Sequence, residues 1–133
     1  MATMKAGAAT GTTIRVMVVE DHDGLRRLLS ERIDQEPDLE VVSQAGSLGE
    51  ARCQASSQGC DVAVLDTRLP DGYGADLIAE LRELCPGCAV LILCASMNPS
   101  SLARASEADA DGIMDKFTAP EKIVGAIRLF GKT

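Results

Sequence analysis

At 133 residues the chain is one domain's worth, long enough to bury a core without disulfides or a structural metal. It is 46% hydrophobic but only 2% aromatic, so the core must be aliphatic; 20 acidic against 13 basic residues leave a charge of −7 that opposes binding to nucleic acid or anionic membranes. No apolar run is long enough to span a bilayer, no export signal opens the chain and the five cysteines are odd in number, so the expectation is a cytoplasmic protein with free thiols.

Residues 1–13 are rich in Ala, Gly and Thr without periodicity and read as a disordered tail; the folded domain is read over 14–130. Ile14 to Val19 is a short apolar run that ends on two acids, Glu20 and Asp21. From Asp23 the period changes: Leu25, Leu28, Leu29, Arg32 and Ile33 recur at helical spacing, and the helix stops before Pro37. Val41-Val42 is a short strand, Ser47 is a cap for a helix to about Gln58, and Gly59 stops it. Val62-Ala63-Val64-Leu65 is too short for a helix and suits a strand buried on both faces, stopping abruptly on Asp66. Pro70 and Gly72 break the pattern, and Gly74 to Leu84 predicts a helix with Leu77, Ile78 and Leu81 inward. After Pro86-Gly87 come a strand over Ala89 to Cys94 and a helix opened by Asn98-Pro99 and running to about Ala108. Gly112-Ile113-Met114 is a fifth strand, and Pro120 starts a last helix with Ile123, Ile127, Leu129 and Phe130 as its apolar stripe. Strand–helix units in series predict an α/β fold, a five-stranded parallel sheet doubly wound with helices on both faces into a three-layer sandwich.

In such a sheet the ends of the first and third strands are neighbours, which brings Glu20, Asp21 and Asp66 together beyond the strand ends. Two carboxylates about 4 Å apart repel by roughly 4 kcal/mol at an effective dielectric of about 20, so the cluster calls for a cation. All-oxygen ligands with room for water suit Mg²⁺, and Lys116 after the fifth strand would add a charge that favours phosphoryl oxygens. Taken singly each residue has a plainer role: an Asp after a strand makes turns or caps, Glu20-Asp21 can open a helix, Lys116 can be solvated, and His22 is a helix-start residue.

Together, Val18-Val19-Glu20-Asp21-His22, Val64-Leu65-Asp66-Thr67-Arg68-Leu69-Pro70-Asp71-Gly72 and Asp111-Gly112-Ile113-Met114-Asp115-Lys116 resemble the receiver domain of two-component response regulators, in the subgroup that usually precedes a NarL/LuxR-type DNA-binding module. The resemblance covers about 14–130 and implies the flavodoxin-like, CheY-like strand order 2-1-3-4-5. It implies that Asp66 accepts a phosphoryl group from a sensor histidine kinase. It further implies that Glu20, Asp21, Asp66 and the backbone carbonyl of Arg68 hold Mg²⁺. Lys116, Thr67 and the residue at 94 would contact phosphate, Arg68 and Ser96 would tune its loss, and positions 94 and 113 would form the switch. Such a domain is a phosphoacceptor in signal transduction rather than an enzyme acting on a separate substrate. Its partners would be the kinase and a downstream protein or an output domain missing here, with the chain a monomer or weak homodimer.

Three positions depart from the pattern. Cys94 stands where the family carries Thr or Ser, and a thiol is a weaker, longer donor. Ile113 stands where Tyr or Phe is usual; a buried aliphatic residue there would weaken the relay from site to surface. Asp109 replaces a Gly at the end of the fourth helix, where a left-handed conformation costs it more. These departures motivate one alternative, a binding module of the same fold that works without phosphate. The other alternative is thiol redox or metal chemistry at Cys85-Pro86-Gly87-Cys88, although there the motif follows a helix and reads first as a Pro-Gly turn, with Cys60 expected near Cys88.

Overall fold

A computed structural model describes residues 13–131; the tail expected over 1–13 lies outside them but for Thr13. Five strands form one parallel sheet: β1 (Ile14–Val19), β2 (Leu39–Ala45), β3 (Val62–Asp66), β4 (Ala89–Cys94) and β5 (Gly112–Asp115). Their spatial order is 2-1-3-4-5, as the resemblance implies, with Val19 beside Leu65, Asp66 beside Leu93 and Cys94 beside Asp115. Between them run α1 (Asp23–Asp34), α2 (Leu48–Ser57), α3 (Ile78–Leu84), α4 (Pro99–Glu107) and α5 (Pro120–Gly131).

Strand alternation splits the core into two halves. Val16, Val18, Val62, Val64, Leu91 and Leu93 face Ile33 of α1 and Ile123 and Ile127 of α5. Met17, Val19, Ala63, Leu65, Val90 and Ile92 face Leu48 and Ala51 of α2, Leu77, Ile78 and Leu81 around α3, and Ala105 of α4. β3 is buried along its whole length, which is why its sequence shows no alternation between apolar and polar residues.

Helix starts follow the capping chemistry of the sequence. His22, Ser47 and Asn98 each accept a backbone N–H from the first turn, at 3.1, 3.1 and 2.8 Å. Asp109 stands at φ 63, the left-handed position that its place after α4 demands, and Ala110 N–H reaches back to the Ala105 carbonyl at 3.1 Å.

Two apolar stripes differ from expectation. Leu28 in α1 and Leu129 in α5 are each 67% exposed, while Ser30 is buried beside Ile33. The leucines of α1 outnumber its inward positions, so spacing alone does not fix which side of the helix meets the sheet. The predicted third helix begins as a 3-10 turn over Gly74–Leu77 before α3 proper. Between β3 and that turn, Arg68–Leu69 and Gly72–Tyr73 pair as a small antiparallel ribbon that the sequence reading does not contain.

Candidate functional site

The three strand ends converge as expected. One carboxylate oxygen from each of Glu20, Asp21 and Asp66 lies within 4.8 Å of the other two. Glu20 and Asp66 are buried and Asp21 is exposed, so the cluster opens to solvent on one side. Lys116, carried past the end of β5, reaches between them: its Nζ lies 2.7 Å from Glu20 Oε1 and 3.0 Å from Asp66 Oδ2. Burial works against the ammonium charge, but the hydrogen bonds to Glu20 and Asp66 outweigh it and hold Lys116 above the ordinary lysine range. Its backbone is fixed too, since Lys116 N–H donates to the Cys94 carbonyl at 2.8 Å.

The loop after β3 is built from the backbone upward. Gly74 packs so closely that a Cβ there would stand 2.2 Å from the Asp66 carbonyl oxygen, and its N–H donates to the Thr67 carbonyl at 2.9 Å. Gly72 takes φ 147 where a side chain would strike Leu48. Asp71 accepts from the N–H groups of Leu48 and Gly49 at 2.8 and 3.0 Å, so the loop after β3 caps the start of α2 from 23 residues along the chain. Those bonds, the one from Leu48 foremost, hold the Asp71 carboxyl below its usual range. The stabilisation they bring is present above the unfolded Asp pKa and is lost as the pH falls through the lower folded value. Asp71→Asn is therefore expected to be less stable than wild type at pH 7, with the gap closing on acidification. Denaturant midpoints of both proteins between pH 7 and 3 check this; two parallel curves would contradict it.

Two clefts meet at Asp66 and Lys116. One, of about 390 Å³, runs toward Leu25 and Leu28 of α1 and toward Phe117; the other, of about 400 Å³, is lined by Arg68, Tyr73, Ser96 and Arg104. In the second, the Arg104 guanidinium stacks 3.7 Å from the centre of the Tyr73 ring, and Arg68 donates to the Tyr73 hydroxyl at 3.3 Å. Neither Tyr73 nor Arg104 is singled out by the sequence, because their pairing joins a loop to a helix about thirty residues away and no local motif marks it.

Not every residue expected at the phosphate site faces it. Thr67 lines the second cleft, half-buried, and its hydroxyl donates to the Leu93 carbonyl at 2.9 Å. Cys94 is wholly buried, follows Val90 and Ile92 onto the α2–α3 side of the sheet and lines neither cleft. Ile113, expected to be buried, is half-buried and packs on the edge of the same core half. Ser96 is exposed and accepts from the Asn98 side chain at 3.4 Å. The competing cysteine motif is a turn, as expected: Gly87 has φ 88, Cys88 N–H donates to the Cys85 carbonyl at 3.0 Å, and Cys60 Sγ lies 3.5 Å from Cys88 Sγ. Among the described residues no helix is long and apolar enough to cross a membrane.

A family model for the response regulator receiver domain matches residues 16–128. The DNA-binding transcriptional activator DevR/DosR of Mycobacterium tuberculosis is 35% identical over 118 residues, covering 89% of this chain and 54% of the relative. The nitrate/nitrite response regulator protein NarP of Escherichia coli is 32% identical over 121 residues, covering 91% of this chain and 56% of the relative. Among solved structures, the signal receiver domain of the response regulator NarL from Mycobacterium tuberculosis aligns with a TM-score of 0.85 at 27% identity, over 92% of this chain and 98% of that one. The chain thus spans about half the length of the curated relatives it matches. With sheet order, acidic cluster and strand-end lysine all in agreement, the chain belongs to the receiver domain family of two-component response regulators.

Proposed function

We propose that Asp66 is the phosphoacceptor of this domain and that its donor is a phosphohistidine on a sensor kinase. The observation that carries the reading is the convergence of Glu20, Asp21 and Asp66 on Lys116, from the ends of three strands. In the transfer an Asp66 carboxylate oxygen attacks phosphorus, the P–O bond forms as the P–N bond breaks, and the electron pair leaves with the imidazole. Lys116 stabilises charge on the transferring oxygens from a position already fixed by the backbone.

The acidic cluster fits a hard divalent cation, since every donor is oxygen and Asp21 leaves the site open to water. Glu20, Asp21 and Asp66, with the Arg68 backbone carbonyl, would hold Mg²⁺, which when bound neutralises phosphoryl charge. The kinase, a downstream protein or output domain, and a state of monomer or weak homodimer belong to the same reading. A cytoplasmic location goes with it, since such kinases draw their phosphoryl group from ATP.

The test is incubation with a small acyl phosphate and Mg²⁺, followed by intact mass and by mapping of the modified residue. A gain of one phosphoryl group on Asp66, lost when Mg²⁺ is chelated, is the expected result; no gain, or a gain elsewhere, overturns the reading. Lys116→Met should slow uptake by about 10²-fold, the scale of losing one preorganised charge donor. Stopped-flow or quenched mass measurements at saturating Mg²⁺ give that rate, and an unchanged rate would remove Lys116 from the mechanism.

The readout of phosphorylation is proposed to be weak. Cys94 supports this by sitting in the core with the apolar side chains, and Ile113 by offering no ring to move. Cys94→Thr is expected to enlarge, several-fold, the change in hydrogen exchange that phosphorylation produces over α4, β5 and α5. Equal changes in the two proteins would sink the idea.

A further inference from the structure

We propose that Cys60 and Cys88 are a redox-sensitive pair that peroxide closes into a disulfide, at the end of the sheet remote from Asp66. Cys60 leads into β3 and Cys88 leads into β4, neighbouring parallel strands whose register places Val62 beside Ala89. The two side chains point into the same core half, and their sulfurs are 3.5 Å apart. A disulfide needs about 2.05 Å, so closure asks for an approach of roughly 1.5 Å, within reach of small side-chain rotations. The turn that holds Cys88 can supply the rest, because Pro86 and Gly87 are exposed and nothing packs within 4 Å of the position a Gly87 side chain would take.

The other cysteines are placed differently. Cys53 is exposed on α2 and Cys94 lies at the far end of β4; Cys85 also neighbours Cys60, but its thiol donates to the Ala55 carbonyl at 3.7 Å. Cys60 and Cys88 are 7% and 4% exposed, so a bulky oxidant is excluded and a small one is required. The two thiols share a hydrogen bond in which either can donate; it favours a thiolate on the accepting sulfur, and Cys88, whose thiol it lowers, can take that part. Its thiolate attacks one peroxide oxygen, the O–O bond breaks, and the displaced hydroxide takes the proton that Cys88 gave up. Cys60 sulfur then attacks the Cys88 sulfenic acid, the S–O bond breaks, and hydroxide leaves with the Cys60 proton. Two thiols and one hydrogen peroxide become one disulfide and two waters.

The experiment uses the full chain with Cys53→Ser, to remove the exposed thiol, treated with hydrogen peroxide and alkylated under denaturing conditions. Two of the four remaining thiols should be protected, the mass should fall by two hydrogens, and trypsin should release residues 53–68 joined to residues 83–104. Fragmentation should place the link between Cys60 and Cys88, and dithiothreitol should reverse it. Cys60→Ala and Cys88→Ala should each lose the protection, while Cys85→Ala keeps it. Phosphoryl uptake at Asp66 should be the same in oxidised and reduced protein, because the pair lies at the opposite strand ends. Retention of all four thiols, a link that uses Cys85, or oxidation that stops on one sulfur would overturn the proposal. The peptide map of the parent protein decides it even if an alanine variant does not fold.

Discussion

Asp66→Asn is expected to take phosphoryl uptake to zero while leaving the domain folded. Asn keeps the shape of the side chain but its amide is no nucleophile, so the reaction loses its attacking atom and nothing else. Lys116 retains Glu20 at 2.7 Å, and removing one of three clustered negative charges offsets the loss of its bond to Asp66. Stability in the absence of Mg²⁺ should therefore change little, since the lost bond and the relieved repulsion belong to the same buried carboxylate. Intact mass after treatment with the phosphodonor, together with a denaturant titration, checks both halves. Residual uptake would mean that a second residue accepts phosphate.

Gly74→Ala is expected to be the most damaging small substitution near the site. Its Cβ would meet the Asp66 carbonyl oxygen at 2.2 Å, and a backbone atom at the end of a buried strand has no rotamer by which to move aside. Relief must come from shifting the 3-10 turn off β3, at a cost of about 3 kcal/mol or more. Because the clash falls on the backbone of Asp66 itself, phosphoryl uptake should slow along with the loss of stability. Gly125→Ala on the exposed face of α5 is the control: nothing lies within 4 Å of its Cβ, so the same change there should stabilise by up to about 1 kcal/mol. Equal denaturant midpoints for Gly74→Ala and wild type would refute the close approach.

The elements were legible because their signals are local. β4 begins at Ala89 and ends at Cys94 as read, and Pro120 opens α5, since short apolar runs and capping residues carry their own limits. Acids after two strands and a lysine after a third could be joined in advance because a parallel sheet puts strand ends on one side. What escaped was set by contacts between distant segments. The side of α1 that meets the sheet depends on its neighbours, and Leu28 in a leucine-rich helix gives no warning that it faces outward. Nothing near Thr67 in the sequence shows that its hydroxyl donates to the Leu93 carbonyl on the next strand. Asp71 carries no role in the sequence reading, and only the folded chain brings the start of α2 to it.

The chain contains one tyrosine and no tryptophan. That tyrosine is Tyr73, under the Arg104 guanidinium in the cleft that reaches Asp66. Ultraviolet emission excited beyond the phenylalanine absorption band therefore comes from a single ring at the site, so quenching or recovery of its fluorescence follows events in that cleft without a label. The same scarcity leaves global unfolding without an independent optical reporter in the core, and backbone circular dichroism must serve that purpose.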